Sequence, residues 1–368
     1  MVRCFKQISV AVLLVALAGC ASNPTVLLDA TAGLFDAGSG EENILFATVR
    51  APSVDGRLVF GGDRANDISY GSVSVRIPPD REIGKISYPK NRIDPRRDFS
   101  ARSLSPLGTS DALKASVEAR LANLPATEQE VSVFVHGYNT DFAEGIFLSA
   151  QMVHDFGAPG VPVHFSWASA GIPQGYLYDL ESANIARDDL AVTIRDLQST
   201  SATDLILVAH SMGGMVLMEA LRQIGLEGDT STLSEISAVV LAAPDIDIDV
   251  FEEQLRALNP RPFPIMVFVS RGDPALQISS RLRGRQPRVG DGSSVNRLRA
   301  LGVGVVDLTD VSSSRREEHN KFANSPFVIN MIRQASALRH SLDTTPDDAI
   351  QLFDTVADSG VAVAAPEN

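Results

Sequence analysis

The chain has 368 residues, 44% hydrophobic and 21% charged, a globular composition that excludes a wholly disordered chain, a collagen-like repeat and a polytopic membrane protein. Its 32 Lys+Arg against 45 Asp+Glu leave a formal charge of −13, the wrong sign for a protein that must neutralise nucleic-acid phosphates. The two cysteines, Cys4 and Cys20, lie in the first twenty residues, which excludes a disulfide scaffold, a Cys-ligated zinc site and a catalytic thiol.

Residues 1–19 read as a signal peptide. Arg3 and Lys6 supply a positive start, and Ile8–Ala18 is an apolar run too short to span a bilayer, which takes about 20 residues. The run ends Leu17-Ala18-Gly19-Cys20, which resembles a bacterial lipobox. That resemblance implies cleavage before Cys20, a diacylglycerol on its thiol and a place in a bacterial cell envelope. With Ala21 and no Asp after the cysteine it implies the outer membrane, facing the periplasm. More than one acyl chain gives stable anchoring, each buried methylene adding about 0.8 kcal/mol. Residues 20–43, rich in small and polar types, are expected to be a lipidated tether.

From Ile44 to about Ile86 the chain has β character: Ile44–Val49 is β-rich and Ser72–Ile77 alternates. Residues 89–108, rich in Pro, Arg and Ser, read as a loop. Strand-length apolar runs then recur at Val131–His136, Val163–Trp167, Leu205–Ala209, Ile236–Ala243, Ile265–Val269 and Val303–Leu308. Most are continuous, as in strands buried on both faces. Helical periodicity separates them at Asp111–Leu124, Ile185–Leu197, Met212–Ile224 and Phe251–Leu258. The alternation predicts an α/β fold: a mostly parallel sheet with helices on both faces, preceded by a short N-terminal β segment, as one domain over residues 44–340. Residues 341–368 turn acidic and small and read as a flexible tail, with a short helix near Asp348–Val356.

The strongest chemical signal is Leu205–Gly214. A buried strand ends at Ser211, which stands between small residues two positions either side, Ala209 and Gly213, and a helical pattern follows. This resembles the nucleophile elbow, Gly-x-Ser-x-Gly, of α/β hydrolases. Such a turn lifts the serine Oγ to a helix N-terminus, whose partial positive charge favours an oxyanion. Val133-Phe134-Val135-His136-Gly137-Tyr138 ends an earlier strand. In α/β hydrolases the strand two before the nucleophile ends in His-Gly, so the resemblance assigns the oxyanion hole to the N–H groups of Tyr138 and Met212. His136 itself reads as a turn residue. Trp167, the single tryptophan, reads as a wall of the acyl pocket or as a core aromatic. With His136 it is the candidate pocket lining.

The chain order Ser…Asp…His requires a base after the last long strand. His319 meets it, in the polar run Glu317-Glu318-His319-Asn320 after Val303–Leu308. His154 and His164 precede the nucleophile, His210 lies inside the elbow and is expected to point away from Ser211 Oγ, and His340 reads as a surface residue. The acid belongs on a loop after a strand. Asp273 follows Ile265–Val269, the seventh strand by this count; Asp245 follows Ile236–Ala243, the sixth, and is the alternative acid. Asp245, Asp247 and Asp249 alternate but lack the ligand loop and glycine of an EF-hand, so they read as an acid-rich helix start. No metal or organic cofactor is implied. Six arginines between Arg281 and Arg299 stand against one acid, Asp291, and read as a solvated helix or loop, or as a contact for lipid headgroups or an anionic substrate.

The stretches at 134–139, 165–169, Tyr178-Asp179, Ser182-Ala183, 209–213 and 242–247 together resemble the DUF900 group of bacterial α/β-hydrolase esterases and lipases. Ala47-Thr48-Val49-Arg50, Tyr70-Gly71 and Ile77-Pro78 are similar to its N-terminal β segment, so the resemblance covers residues 44–335. Ala168 departs from it, standing where the group often has Pro. The resemblance implies a Ser211–His319–Asp273 triad cleaving a carboxylic ester through an acyl-enzyme. A peptidase, amidase or thioesterase with the same triad, or a non-catalytic envelope binding protein on this fold, is the alternative. The expected partners are the ester substrate and the membrane, through the lipid on Cys20. The sequence leaves the oligomeric state open.

Overall fold

The computed structural model describes residues 38–54, 59–89, 93–314 and 317–333. The signal peptide, Cys20, His340, the acidic tail and the helix expected near Asp348–Val356 lie outside the described residues. The expected tether ends sooner than residue 43, because the first strand already begins at Gly40.

The fold is an α/β-hydrolase fold built on one sheet. Its strands are β1 (Gly40–Pro52), β2 (Phe60–Ile77), β3 (Ser100–Pro106), β4 (Glu130–Val135), β5 (Val161–Ser166), β6 (Asp204–His210), β7 (Ile236–Ala242), β8 (Ile265–Val269) and β9 (Gly304–Asp307). They lie in the order β3-β2-β1-β5-β4-β6-β7-β8-β9. The β1–β2 and β2–β3 pairs are antiparallel, and all the others are parallel. Three strands, not two, precede the parallel crossovers. The loop expected at 89–108 contains β3, in which Ser100 and Ala101 are buried and Ser103, Ser105 and Pro106 are exposed. The strand before Asp273 is therefore the eighth in the chain.

Helices α1 (Ser110–Leu121), α2 (Phe142–Phe156), α3 (Tyr176–Gln198), α4 (Met212–Leu226), α5 (Thr230–Ser234), α6 (Ile248–Ala257), α7 (Pro274–Leu282), α8 (Val295–Ala300) and α9 (Lys321–Asn324) fill the connections. Sequence periodicity missed α2, which is buried nearly all round and buries polar Glu144, Ser149, Gln151 and Asp155 along with its apolar residues. Its ends are nonetheless written in the sequence. Asp141 and Glu144 close a capping box, and Gly157 at φ 61° terminates the helix. Helix α3 begins at Tyr176 rather than Ile185. Asp247 caps α6, in line with an acid-rich helix start.

The topology positions the site. From β4 the chain crosses to β5 on one side and returns to β6 on the other. The order reverses between β4 and β6, and a crevice opens beyond the carboxyl ends of strands at such a point. Residues 136–141 and 211–214 fill that place.

One buried side chain ties the N-terminal strands to it. Arg50 of β1 is 1% exposed. It donates to Ser166 Oγ at 2.8 Å, Gly61 O at 3.1 Å, Ser169 O at 2.9 Å and Thr140 O at 2.6 Å. Its Nη2 also lies 3.3 Å from His136 Nε2. Burial pushes the guanidinium down to about 10, against the pull of Asp141, Asp179 and Glu144. Replacing it with Met leaves several buried acceptors unpaired, each costing about 1–3 kcal/mol. Arg50→Met should lower the Tm by at least about 6 °C, as calorimetry can measure; a variant that melts with the wild type would refute this anchoring.

Candidate active site

Strand β6 ends at His210, and the next residue turns sharply. Ser211 has φ 53° and ψ −122°, a region that L residues rarely enter and that costs about 1–3 kcal/mol. Backbone hydrogen bonds hold it there: Ser211 N–H donates to Ala242 O at 2.9 Å, and Ser211 O accepts from Gly214 N at 3.0 Å and Asp245 N at 3.1 Å. Gly213 is required at its position, since a Cβ there would lie 2.3 Å from His136 O and 2.5 Å from Val135 O. Gly137 answers it from β4, where a Cβ would stand 3.0 Å from Ser211 Cβ. Met212 opens α4, and the first N–H groups of a helix have no intrahelical acceptor. The peptide of Tyr138 follows directly after Gly137.

His319 reaches this corner from a short turn after β9, Glu318–Asn320. Its Nδ1 lies 2.6 Å from Asp273 Oδ2. Asp273 is 1% exposed and caps α7, its Oδ1 accepting from Ala275 N at 2.9 Å and Leu276 N at 3.2 Å. His210 Nε2 donates to His319 O at 3.0 Å, and the two imidazoles stand 4.8 Å apart. The ring of His319 thus packs against the residue preceding Ser211. Buried Lys321 pins the turn by donating to Leu308 O at 2.9 Å, and its ion pair with Glu318 is joined by Ser270 Oγ, 2.7 Å from the carboxylate.

The family model described as an alpha/beta hydrolase of unknown function (DUF900) matches residues 110–335, well over half of the chain. The chain belongs to the DUF900 family. No curated protein matches the sequence. Among solved structures, a gene product of Listeria innocua is similar at 12% identity and TM-score 0.37, covering 59% of this chain and 95% of that one. Aspergillus fumigatus lipase B is similar at 16% identity and TM-score 0.38, covering 63% and 61%. Esterase B of Lactobacillus rhamnosis is similar at 10% identity and TM-score 0.35, covering 96% and 94%.

The alternative acid of this DUF900 chain stands apart. Asp245 accepts from Ser279 Oγ at 2.6 Å and Tyr176 OH at 3.1 Å, and pairs with buried Arg288 at 3.4 Å. It makes no hydrogen bond to His319, although its charge helps to stabilise the imidazolium. The arginine-rich stretch is consequently not one solvated basic face. Arg288 is fully buried, and Arg297 is engaged by Asp249 at 2.7 Å and by Glu252.

Trp167 and His136 do not line a pocket, contrary to the sequence expectation. Both are 0% exposed, their rings stack 5.0 Å apart, and Trp167 Nε1–H donates to His136 O at 2.7 Å. His136 Nδ1 lies 2.8 Å from Gly137 O, and its Nε2 lies 3.0 Å from Trp167 O and 3.3 Å from Arg50 Nη2. The pair is the floor under the loop that carries Tyr138. Asp179, which the sequence offered only as part of the family resemblance, holds that loop from the other side. It accepts from Asn139 N at 3.2 Å, Ser169 Oγ at 2.6 Å and Ala170 N at 2.7 Å.

Among the described residues no cluster of His, Cys, Asp and Glu is suited to a metal. Electrostatics separate the histidines. Burial drives His210 and His164 down to about 3 and His136 well below its ordinary range. Burial also opposes charge on His319, but the charge and hydrogen bond of Asp273 outweigh it, and the group sits above the usual 6.5. Burial raises Asp273 too, yet His319 and the two helix amides win and hold it below the usual carboxylate range. The folded pKa of His319 is raised, so the stability it contributes is full below the unfolded value and is lost as pH rises through the folded one. His319 ring protons followed by NMR should titrate above 6.5 in the wild type and lower in Asp273→Asn. Equal midpoints would mean that the contact carries no charge coupling.

Proposed function

We propose that the chain hydrolyses carboxylic esters through an acyl-enzyme on Ser211. The observation that carries this reading is the 2.6 Å contact between His319 Nδ1 and Asp273 Oδ2, on a turn packed against the Ser211 elbow. A carboxylate can only accept, so the proton of neutral His319 stays on Nδ1 and Nε2 is left as the base. Nε2 takes the proton of Ser211 Oγ as the oxygen attacks the ester carbonyl. Asp273 fixes the tautomer and stabilises the imidazolium. The N–H groups of Met212 and Tyr138 receive the oxyanion, a contribution of about 3–4 kcal/mol per donor. The imidazolium then gives its proton to the departing alkoxide. Water attacks the acyl-serine by the same route in reverse roles, releases the acid and restores Ser211.

Ser211→Ala should abolish turnover of p-nitrophenyl esters and labelling by a fluorophosphonate while the melting curve is retained. A mutant that keeps wild-type turnover would end the serine mechanism. Asp273→Asn should cut kcat by about 10⁴, because an amide favours the wrong imidazole tautomer, whereas Asp245→Asn should act mainly on stability. The reverse ranking would assign the acid to Asp245. Parallel assays on thioester and peptide substrates test the ester preference itself.

The lipobox-like Leu17–Cys20 supports a second part of the reading: an enzyme tethered by lipid on Cys20 to the bacterial outer membrane, facing the periplasm. Expressed in a Gram-negative host, the wild type should incorporate labelled palmitate and fractionate with membranes, and Cys20→Ala should do neither. Wild-type protein without label would point to a cleaved, soluble periplasmic enzyme.

A further inference from the structure

The family match begins at residue 110, so β1 to β3 and their connections lie outside it. One of those connections nevertheless reaches the turn that carries His319. After β2 the chain closes on itself: Asp80 N–H donates to Arg96 O at 2.9 Å, Phe99 N–H donates to Ser87 O at 3.0 Å, and Ser87 Oγ donates to Asp98 Oδ1 at 2.6 Å. Residues 81–85 lie within this closed loop, and they meet both α2 and α9.

Buried Asp155 of α2 is the joint. It pairs with Arg81, whose Nη1 donates to Oδ2 at 3.0 Å. The same oxygen accepts from Gly84 N at 2.8 Å and from Gln151 Nε2 at 2.7 Å. Gln151 Nε2 also donates to Ala323 O of α9 at 3.1 Å. A buried carboxylate with these partners is costly to leave half-paired, which fixes the loop, α2 and α9 against one another. Two direct contacts then bracket His319 in sequence. Lys85 pairs with Glu317, two residues before it. Gly84, at φ 78°, lies against Asn324, five residues after it. A Cβ on Gly84 would collide with Asn324 O and stand 2.8 Å from the carbonyl carbon. Glycine is therefore demanded twice, by the left-handed backbone and by the close approach. His210, Leu308 and Ser270 hold the turn from the ends of the central strands. Residues 81–85 add a second set of holds from a distant part of the chain.

We infer that residues 81–85 are a positioning brace for His319: they fix the segment 317–324 where Nδ1 meets Asp273, so the N-terminal segment is part of what makes the site work. The effect on turnover rests on the acyl-enzyme reading; the effect on the His319–Asp273 contact does not. A half-exposed pair such as Lys85–Glu317 adds little to global stability, whereas a small displacement of a base costs rate steeply. The brace therefore shows in kcat before it shows in Tm.

The test measures kcat and KM on p-nitrophenyl butyrate, Tm, and the His319 titration by NMR, all in the full chain. Lys85→Met should lower kcat at least about fivefold, with KM within about twofold and Tm within about 2 °C, and Lys85→Arg should restore it. Glu317→Gln should match Lys85→Met, and the double mutant should be no slower than the worse single. Gly84→Ala should cut kcat at least about tenfold and bring the His319 midpoint down toward 6.5, because a displaced ring loses Asp273. The charge at position 84 does not change, so that fall reports geometry. Arg102→Gln breaks the Arg102–Glu41 pair, which is similarly exposed and joins β3 to β1, and should change none of these readings. Variants with wild-type kcat and midpoint, or kcat that falls only in step with Tm, overturn the brace. A wild type inert to esters whose His319 midpoint still falls in Gly84→Ala supports the brace and refutes the ester reading instead.

Discussion

The site rests on a single close approach: the backbone after β4 and the backbone after β6 touch. Val135 O and His136 O stand where a side chain on residue 213 would have to be, and Ser211 Cβ stands where one on residue 137 would begin. Only glycine satisfies both positions. The contact forces the chain into the α4 helix through a positive φ at Ser211, and that strain is held by bonds to β7 and to the peptide of Asp245. The same turn also fixes the loop after β7, because Ser211 O accepts from Asp245 N. Because Asp245 N–H is committed to Ser211 O, its carboxylate is directed to Ser279, Tyr176 and Arg288 instead of to the imidazole.

How much of this could be read from the sequence follows from which forces are local. The elbow was legible because its strand, glycine and helix are neighbours in sequence. The parallel strands were legible because burial on both sides demands continuous apolar runs. Strand β3 was not, because an antiparallel edge strand of Ser, Arg and Pro carries little hydrophobic signal and takes its identity from pairing with β2. Arg50 was quoted for its resemblance alone. Its partners, Ser166, Ser169, Thr140 and His136, come from segments far along the chain, and no local pattern announces a buried guanidinium. Trp167 and His136 were misplaced for a related reason: a residue at a strand's carboxyl end can face the crevice or the core, and only the stacking of the two rings decides it.

Charge is arranged with economy around the corner. Three histidines near the strand ends, His136, His164 and His210, are kept neutral by burial, and the cation of Arg50 deepens the effect on the first two. Neutral His210 must carry its proton on Nε2 to donate to the carbonyl of His319, so its tautomer is set by the turn it supports. His319 is the exception, raised rather than lowered, because it alone of these faces a carboxylate at hydrogen-bond distance.

That carboxylate is itself constrained, and the constraint gives the pair its direction. A free aspartate can present either oxygen to an imidazole and can swing with it. Asp273 cannot, because Oδ1 is occupied by the first two free amides of α7, with Pro274 fixing the entry to the helix. Only Oδ2 remains for His319. The helix N-terminus also lowers the energy of the anion, so the proton shared along this contact stays on nitrogen. Its partner is held at the other end by His210 and by Lys321, which bind the turn on either side of the ring. With Asp273 locked by a helix and His319 held by its own backbone, the remaining freedom of the ring is small, and its Nδ1 stays committed to the carboxylate.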